Sequence, residues 1–363
     1  MSAHPTIRPR PGVLEVTPYV GGESEVPGAN RVIKLSSNEN LLGPSDEARA
    51  AYLAAGDALQ LYPDGGHGDL TRAIAEVHGL EPGRIACGAG SDELISLLIR
   101  AYAGPGDEVL QSEHGFLMYA ISATAAGATV VRAPERDLTT DIDAMIARLS
   151  ERTRLVFVAD PNNPTGTMVG TEALARLAEA LPPAALLVID SAYAEYVRRP
   201  GHDGGARLVE ARDNVVMLRT FSKIHGLAAL RLGWAYAPGH VIDVLNRVRG
   251  PFNVSAPALA AGAAAVRDVA WVEHCAITNE VWRDWLTKEI TAAGFAVVPS
   301  EANFLLIDTG GRAAQVDAHL RGRGIIARRM DGYGLPGHIR LSLGDEEACR
   351  AVAAAFRSFG EAA

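Results

Sequence analysis

Cysteine is scarce in this sequence, and long apolar runs are missing. The three cysteines, Cys87, Cys275 and Cys349, lie far apart and form no CxxC pair. This spacing argues against a disulfide framework or a zinc site and fits a reducing compartment. The segment "MSAHPTIRPRPG" has no apolar stretch typical of a secretory signal, and no apolar run is long enough to span a bilayer. We therefore expect a cytoplasmic protein that does not enter a membrane.

Basic residues are also in the minority. The chain has 34 Lys and Arg against 43 Asp and Glu, a net charge of −9. A general nucleic-acid surface needs a basic face, so a nucleic-acid partner is not expected, although a local basic pocket for a small anion is compatible with this charge. The chain of 363 residues, 48% hydrophobic and 21% charged, has the composition of a globular protein with one large and one smaller domain.

The central part of the chain alternates apolar strands with helices. Strands are predicted at "EVLQS" (108–112), "TVVRA" (129–133), "RLVFVAD" (154–160), "ALLVID" (185–190) and "NVVMLRT" (214–220), and helices between them, such as "DELISLLIRAYA" and "TEALARLAEAL". Strands that are apolar throughout and separated by helices indicate an α/β domain with a mostly parallel sheet flanked by helices.

The pattern changes near residue 250. A long helix with three tryptophans, which we interpret as packing residues, is followed by short strands and two helices of a smaller α+β unit. We predict an N-terminal arm at 1–44 that is part of the small domain, a large cofactor-binding domain at 45–250, and a small C-terminal domain at 251–363. In "HIRLSLG", Ile339 and Leu341 alternate with Arg340, which places Arg340 on the face away from the small core, at a surface or cleft.

Several polar residues follow the predicted parallel strands, where ligands bind in such sheets. Asp160, Asp190 and Lys223 lie at strand ends, and "GAGSDELI" opens a helix whose free amides suit a phosphate. Each has an ordinary interpretation: Asp190 as a helix cap, Lys223 as a loop charge. Their convergence favours one site. A nicotinamide-binding loop is disfavoured, because Glu93 stands where the Gly88-x-Gly90 motif needs a third small residue.

Lys223 is a candidate nucleophile. A lysine amine reacts only when it is partly deprotonated, and burial or a neighbouring cation lowers its pKa. The apolar run "TFSKIHGLAALRLGW" provides the first condition, and Arg231 could provide the second. Asp190 is a candidate partner for a buried cation such as a protonated pyridine ring.

Eight motifs occur in an order that covers most of the chain: "KLSSNENLLGPS", "YPDGG", "GAGSDELI", "PNNPTG", "IDSAYAEY", "TFSKIHGLAALRLGW", "RGPFNVS" and "HIRLSLGDEEA". With them the sequence resembles the fold-type I aminotransferases, which use pyridoxal 5'-phosphate, and among them the histidinol-phosphate aminotransferase family.

The resemblance implies roles for individual residues. Lys223 corresponds to the lysine that binds the cofactor aldehyde, Asp190 to the acid on the pyridine nitrogen, and Asn163 and Tyr193 to the partners of the ring hydroxyl. The phosphate cradle corresponds to Gly90, Ser91, Asp92, Ser222 and Arg231. Tyr62 corresponds to a tyrosine that reaches the phosphate from a neighbouring subunit, which implies a homodimer with shared sites.

The resemblance also implies a substrate site. Arg340 corresponds to the arginine that holds the anionic group of the substrate, with Arg328, Tyr19, Asn38 and Asn163 as further contacts. A phosphate is a dianion at neutral pH, so a second cation serves it better than one. Leu41 departs from the proline common in the family's "NENP", and Arg329 stands where an acid is common, which leaves either Arg328 or Arg329 as that second cation.

The implied reaction is transamination of L-histidinol phosphate with 2-oxoglutarate, giving imidazole acetol phosphate and glutamate, in histidine biosynthesis. An aromatic amino-acid aminotransferase that accepts phenylalanine or tyrosine is the near alternative. A threonine-phosphate decarboxylase is a remoter one, and a catalytically inactive regulator that binds pyridoxal phosphate belongs to another class.

Overall fold

The computed structural model of the protein describes residues 9–19, 21–25 and 31–361. Residues 1–8 of the segment on which the absence of a secretory signal was predicted lie outside the described residues. Within the described ranges, no helix combines the length and the apolar character needed to cross a bilayer.

The strands alternate with helices along the chain. In chain order the strands are β1 (Ile33–Lys34), β2 (Ile85–Gly88), β3 (Glu108–Ser112), β4 (Thr129–Ala133), β5 (Glu135–Arg136), β6 (Thr139–Thr140), β7 (Thr153–Ala159), β8 (Leu186–Asp190), β9 (Val215–Thr220), β10 (Gly233–Tyr236), β11 (Ala296–Val298), β12 (Phe304–Asp308), β13 (Ile325–Ile326), β14 (Arg328–Met330) and β15 (Leu335–Ser342). The α-helices are α1 (Asp46–Ala54), α2 (Gly68–His78), α3 (Ser91–Tyr102), α4 (Leu117–Ala126), α5 (Ile142–Ala147), α6 (Thr171–Ala180), α7 (Ala206–Ala211), α8 (Gly239–Val248), α9 (Ala256–Arg267), α10 (Val269–Ala292), α11 (Ala313–Arg321) and α12 (Glu346–Glu361). Short 3-10 helices lie at Val13–Glu15, Ala55–Ala58, Pro82–Arg84, Ala194–Tyr196, Ala228–Leu230 and Asp331–Tyr333.

The large sheet has the strand order β2-β10-β9-β8-β7-β3-β4. The run from β9 to β4 is parallel, and β10 is antiparallel to both of its neighbours. Alternate residues of β8 enter different cores: Leu187 and Ile189 lie on one face, and Leu186 and Val188 on the other. Burial on both faces explains why these strands are apolar throughout, and the predicted α/β fold is confirmed.

The smaller sheet is antiparallel, in the order β11-β12-β15-β14. Its core joins β12 and β15 to residues of α10, α11 and α12, and Trp282 and Trp285 pack against it. Ile339 and Leu341 of β15 are buried in this core, so Arg340 between them points to the opposite face. The short strand β1 of the arm pairs with β13, and Leu35 enters the same core.

The division between the two units is a proposal. Helix α9 contributes Ala258, Ala261 and Val266 to the core of the large sheet, although it follows residue 250. Because α9 packs with α1 and α2, we propose that the large unit extends to Asp268, whose side chain caps the start of α10.

Candidate functional site

A cavity of about 220 Å³ lies at the carboxyl edge of the large sheet. Strands β7, β8 and β9 are parallel neighbours, so the polar residues that follow them meet at this edge. The cavity is lined by Ser37, Glu39, Ser91, Asp92, Phe116, Ala159, Asn163, Asp190, Ala192, Tyr193, Thr220, Ser222, Lys223, Ala228 and Arg231. The sheet thus brings together residues that are up to 194 positions apart in the sequence (231 − 37).

Lys223 lies in the turn after β9. Its Nζ donates a hydrogen bond to the carbonyl oxygen of Ser37 at 3.2 Å and stands 5.7 Å from the centre of the Tyr193 ring. Burial, followed by the positive charge of Arg340, lowers the pKa of Lys223 to about 8. Arg231, the cation suggested by the sequence, has a smaller effect than Arg340. At pH 7 roughly a tenth of the amine is therefore unprotonated, far more than for an ordinary lysine.

Asp190 ends β8 and is 4% exposed. Its Oδ2 accepts a hydrogen bond of 2.6 Å from the hydroxyl of Tyr119, and its Oδ1 is buried with no hydrogen-bond partner among the described residues. Burial raises the pKa of Asp190 to about 6. A buried carboxylate oxygen without a donor is costly, so a cationic N–H that enters the cavity would be stabilised there.

One end of the cavity suits an anion. Helix α3 begins at Ser91, and its N-cap residue Gly90 has no side chain that could cap the first amides. Arg231 donates to Ser222 Oγ and to Asp92 Oδ2, both at 3.2 Å. Glu93, by contrast, turns away from the cavity lining, because its carboxylate accepts hydrogen bonds from Ala89 N and Asn253 Nδ2.

Gly90 is required at this position for two reasons. Its φ of +85° is a left-handed conformation that residues with a Cβ rarely adopt. A Cβ built there would lie 2.4 Å from Nη2 of Arg231. The arginine fork can therefore approach the start of α3 only because residue 90 is glycine.

Hydrogen bonds connect the arm, the cavity and β15. Asn38 Nδ2 donates to the hydroxyl oxygen of Tyr193 at 3.0 Å. Arg340 donates through Nη1 to Asn163 Oδ1, and through Nη2 to the carbonyl oxygen of Ser36 at 3.1 Å. Arg340 is only 5% exposed, and its Nε is buried and has no partner within the described part of the chain. It is therefore a buried cation that faces the large unit rather than a surface charge.

Arg328 and Arg329 have different surroundings. Arg328 stands directly opposite Arg340 in the β14–β15 pair, and its guanidinium lies 5.6 Å from the centre of the Tyr19 ring. Arg329 stands opposite Ile339 and forms a two-bond ion pair with Asp331 at 2.7 and 3.0 Å. Opposite residues in an antiparallel pair share a face, so Arg328, with Tyr19, lies on the side of Arg340.

Tyr62 is not among the residues that line the cavity of its own chain. It is 82% exposed and stacks on Phe252 with ring centres 4.7 Å apart. Further exposed apolar side chains occur in the same part of the sequence, at Tyr52, Leu53, Leu59 and Leu61.

Sequence reasoning missed two aromatic residues at the site. Phe116 lines the cavity, and Tyr119 binds Asp190. Both follow β3, and Phe116 stands four residues beyond its end, in the kind of position from which Asp190 and Lys223 were recognised. The position of Phe116 shortly after a parallel strand is the sequence feature that indicates a site residue. The apolar sequence "FLMYAISATAA" is also typical of a packed helix, so the two aromatic residues were not recognised.

The residues present fit pyridoxal phosphate. The cavity provides a partly deprotonated amine, a buried carboxylate with one free oxygen, and an anion-binding helix start with an arginine at its edge. These three features match the aldehyde, the ring nitrogen and the phosphate of that cofactor.

Comparison with known proteins agrees with this chemistry. The model of the family "Aminotransferase class I and II" matches residues 30–356. A histidinol-phosphate aminotransferase of Dinoroseobacter shibae is 58% identical over 355 residues, covering 97% of this chain and 98% of that protein. One of Paramagnetospirillum magneticum is 53% identical, with the same coverage.

Solved structures are similar as well. The crystal structure of histidinol-phosphate aminotransferase from Sinorhizobium meliloti in complex with pyridoxal-5'-phosphate has a TM-score of 0.90 and 26% identity, covering 99% of both chains. An aspartate aminotransferase from Thermus thermophilus with maleate has a TM-score of 0.80 at 24% identity, covering 90% of this chain and 91% of that one, which shows a shared fold. The chain therefore belongs to the class I and II aminotransferases. Within this class, the relatives above place it in the histidinol-phosphate aminotransferase family.

Proposed function

We propose that the protein transfers the amino group of L-histidinol phosphate to 2-oxoglutarate, giving imidazole acetol phosphate and glutamate, with pyridoxal 5'-phosphate as the cofactor. This is a step of histidine biosynthesis. The observation that carries the substrate assignment is the pair of arginines, Arg328 and Arg340, which stand opposite each other in the β14–β15 pair, with Arg340 bonded to Asn163 of the cavity lining. Two cations on one face suit a phosphate dianion better than a single carboxylate.

When bound, pyridoxal phosphate supplies an aldehyde that takes up the amino group and a ring that accepts the electrons of the substrate Cα–H bond. Lys223 Nζ, with its lowered pKa, would take the proton from the substrate Cα and deliver it to the carbon that carried the cofactor aldehyde. Oδ1 of Asp190 would accept the hydrogen bond of the ring N–H and keep that proton in place. Tyr193 and Asn163 orient the ring through its hydroxyl, and Phe116 shields the cavity.

The start of α3 and Arg231 hold the cofactor phosphate. Gly90, Ser91 and Asp92 contribute the helix end, and Ser222 orients the arginine through the bond to Nη1. On the substrate side, Arg340 binds the anionic group of either substrate, with Asn38 and Asn163 next to it. Arg328 and Tyr19 add the contacts that only a phosphate uses.

The test of the substrate is a coupled assay with the purified enzyme, comparing histidinol phosphate with phenylalanine at matched concentrations. We expect kcat/KM to be higher for histidinol phosphate, with a strict requirement for 2-oxoglutarate. A preference for phenylalanine would identify an aromatic aminotransferase. Release of CO2 from threonine phosphate without 2-oxoglutarate would identify the decarboxylase.

We also infer a homodimer in which Tyr62 of one subunit reaches the cofactor phosphate of the other. The exposure of Tyr62, and of the apolar side chains near it in sequence, supports this inference, since such side chains are usually covered by a partner. A hybrid of Lys223→Ala and Tyr62→Ala subunits tests it. If Tyr62 serves the partner, the hybrid holds one complete site and binds one cofactor with wild-type affinity. If Tyr62 acts within its own chain, no complete site exists, and the affinity equals that of Tyr62→Ala. We also propose that the protein is cytoplasmic.

A further inference from the structure

Asp190 is held by a residue that does not line the cavity. The hydroxyl of Tyr119 lies 2.6 Å from Asp190 Oδ2. Tyr119 is 1% exposed and stands 71 residues before Asp190, in the first turn of α4. Because Oδ2 is occupied by this donor, Oδ1 is the carboxylate oxygen that remains available to a ligand.

The position of Tyr119 is fixed by its neighbours. Its ring stacks on Phe157 of β7 with centres 4.5 Å apart and an interplanar angle of 15°. On its other side Phe116, which lines the cavity, meets it edge to face at 5.6 Å. A ring packed in this way has one orientation, so the hydroxyl presents its donor at a constant place.

Tyr119 is the donor in its hydrogen bond to Asp190. Burial and the nearby charge of Asp190 raise the pKa of Tyr119 well above its ordinary value, so the phenol stays protonated and donates. Burial raises the pKa of Asp190, and hydrogen bonding from Tyr119, and to a smaller extent from the backbone N–H of Ala192, acts in the opposite direction. Of the charges around Asp190, Lys223 also favours its ionised form, whereas Asp92 disfavours it.

We propose that Tyr119 is a positioning residue of the proposed cofactor site: its hydroxyl holds Asp190 ionised and leaves Oδ1 free for the ring nitrogen of pyridoxal phosphate. This inference rests on the proposed function for the identity of the ligand. The effect of the Tyr119 hydroxyl on the protonation of Asp190 can be measured without the ligand.

The first test is an infrared titration of the apoprotein. The C=O band of protonated Asp190 is identified by its loss in Asp190→Asn. In Tyr119→Phe we expect the midpoint of this band to move to higher pH, because the carboxylate loses its donor. The matched control is Tyr102→Phe, which removes another buried hydroxyl, one without a hydrogen-bond partner. An unchanged midpoint in Tyr119→Phe would overturn the proposal.

The second test is cofactor affinity, measured by equilibrium dialysis of apoprotein with pyridoxal phosphate. A hydrogen bond to a charged group predicts a loss of about 10- to 100-fold in Tyr119→Phe and no change in Tyr102→Phe. In an Asp190→Asn background, Tyr119→Phe should cause no further loss, because the tyrosine acts through the aspartate. An equal loss in both backgrounds would indicate only a structural role and would contradict the proposal.

The two proposals fail in different ways. If the wild-type apoprotein does not bind pyridoxal phosphate, the proposed function is wrong, and the infrared titration still decides whether Tyr119 holds Asp190 ionised. If the cofactor binds normally and the Asp190 midpoint is the same in Tyr119→Phe and Tyr102→Phe, only the role of Tyr119 is wrong. The infrared band also reports whether Tyr119→Phe is folded, since an unfolded chain would titrate Asp190 near its ordinary pKa, below the wild-type midpoint.

Discussion

Arg328 of β14 and Arg340 of β15 stand directly opposite each other on neighbouring antiparallel strands. Opposite residues in such a pair project from the same face of the sheet. Arg340 is buried, and its Nε has no hydrogen-bond partner among the described residues. This arrangement supports the proposal that a substrate phosphate is bound by both guanidinium groups.

We predict that Arg328→Ala raises KM for histidinol phosphate by about 10- to 100-fold, the range expected for one charge-assisted contact. KM for glutamate should change less, because its carboxylate is held by Arg340. The matched control is Arg329→Ala, whose guanidinium pairs with Asp331, and it should leave both constants near wild type. Equal changes for the two substrates in Arg328→Ala would contradict the assignment.

The amine of Lys223 should titrate near pH 8 in the apoprotein, because burial and Arg340 lower its pKa to about 8. Reaction with an amine-specific acylating reagent, followed by peptide mass spectrometry, measures this midpoint. The chain has three lysines, Lys34, Lys223 and Lys288, so Lys288, which is exposed on α10, provides an internal comparison. Replacing Arg340 by Gln should move the midpoint upward. A Lys223 midpoint near the ordinary lysine value of 10.5 would be inconsistent with this environment.

Asp190→Asn should stabilise the apoprotein at pH 8. The folded pKa of Asp190 is raised to about 6, so the favourable contribution of the protonated acid is complete below the unfolded value of 3.8 and is lost as the pH rises through 6. The difference between a pKa of 3.8 and one of about 6 corresponds to about 3 kcal/mol, an upper limit for the gain in unfolding free energy. Asparagine keeps an acceptor for Tyr119 and carries no charge.

The measurement is urea unfolding of both apoproteins at pH 8 and at pH 4, at one protein concentration. The difference should shrink toward pH 4, where Asp190 is neutral in the folded wild type. Cofactor affinity should change in the opposite sense, because the variant cannot pair with a ring N–H cation. A variant that is less stable than wild type at pH 8 would show that burial does not penalise this carboxylate.

Gly90→Ala should weaken cofactor binding by more than about tenfold, since the new Cβ would displace Arg231 and strain a backbone φ of +85°. Gly104→Ala is the control, because a Cβ there meets nothing within 4 Å. Equilibrium dialysis with pyridoxal phosphate measures both. Wild-type affinity in Gly90→Ala would mean that the cradle tolerates a displaced arginine.

The sequence predicted the elements with local signals. Strand β3 was predicted with its observed bounds, since a segment buried on both faces differs sharply from its flanks. The edge strand β4 was also predicted with its observed bounds, although it is only partly buried. Strand β10, "GWAY", was missed, because its four residues form a strand only through non-local pairing with β2 and β9. The pairing could not be inferred from so short a segment.

The site, too, could be predicted from the sequence only where a residue type carries a recognisable signal. Lys223, Asp190 and Arg340 carry side chains whose chemistry can be recognised in a sequence. The acceptors that hold two of them, the carbonyl oxygens of Ser36 and Ser37, belong to the backbone and have no residue-specific signal. From the sequence alone, Tyr119 is interpreted as a core aromatic residue. Only the fold shows that its hydroxyl binds Asp190.

Three consecutive residues of the arm receive contacts from both units of the protein. Ser36 O accepts from Arg340 of the small sheet, Ser37 O accepts from Lys223 of the large one, and Asn38 binds Tyr193. Deleting this segment would remove one hydrogen-bond acceptor from each of two cations, Arg340 and Lys223, although it contains no charged residue. For engineering, the arm has to be kept through residue 38 in any shortened variant, and a fusion partner belongs before it rather than within it.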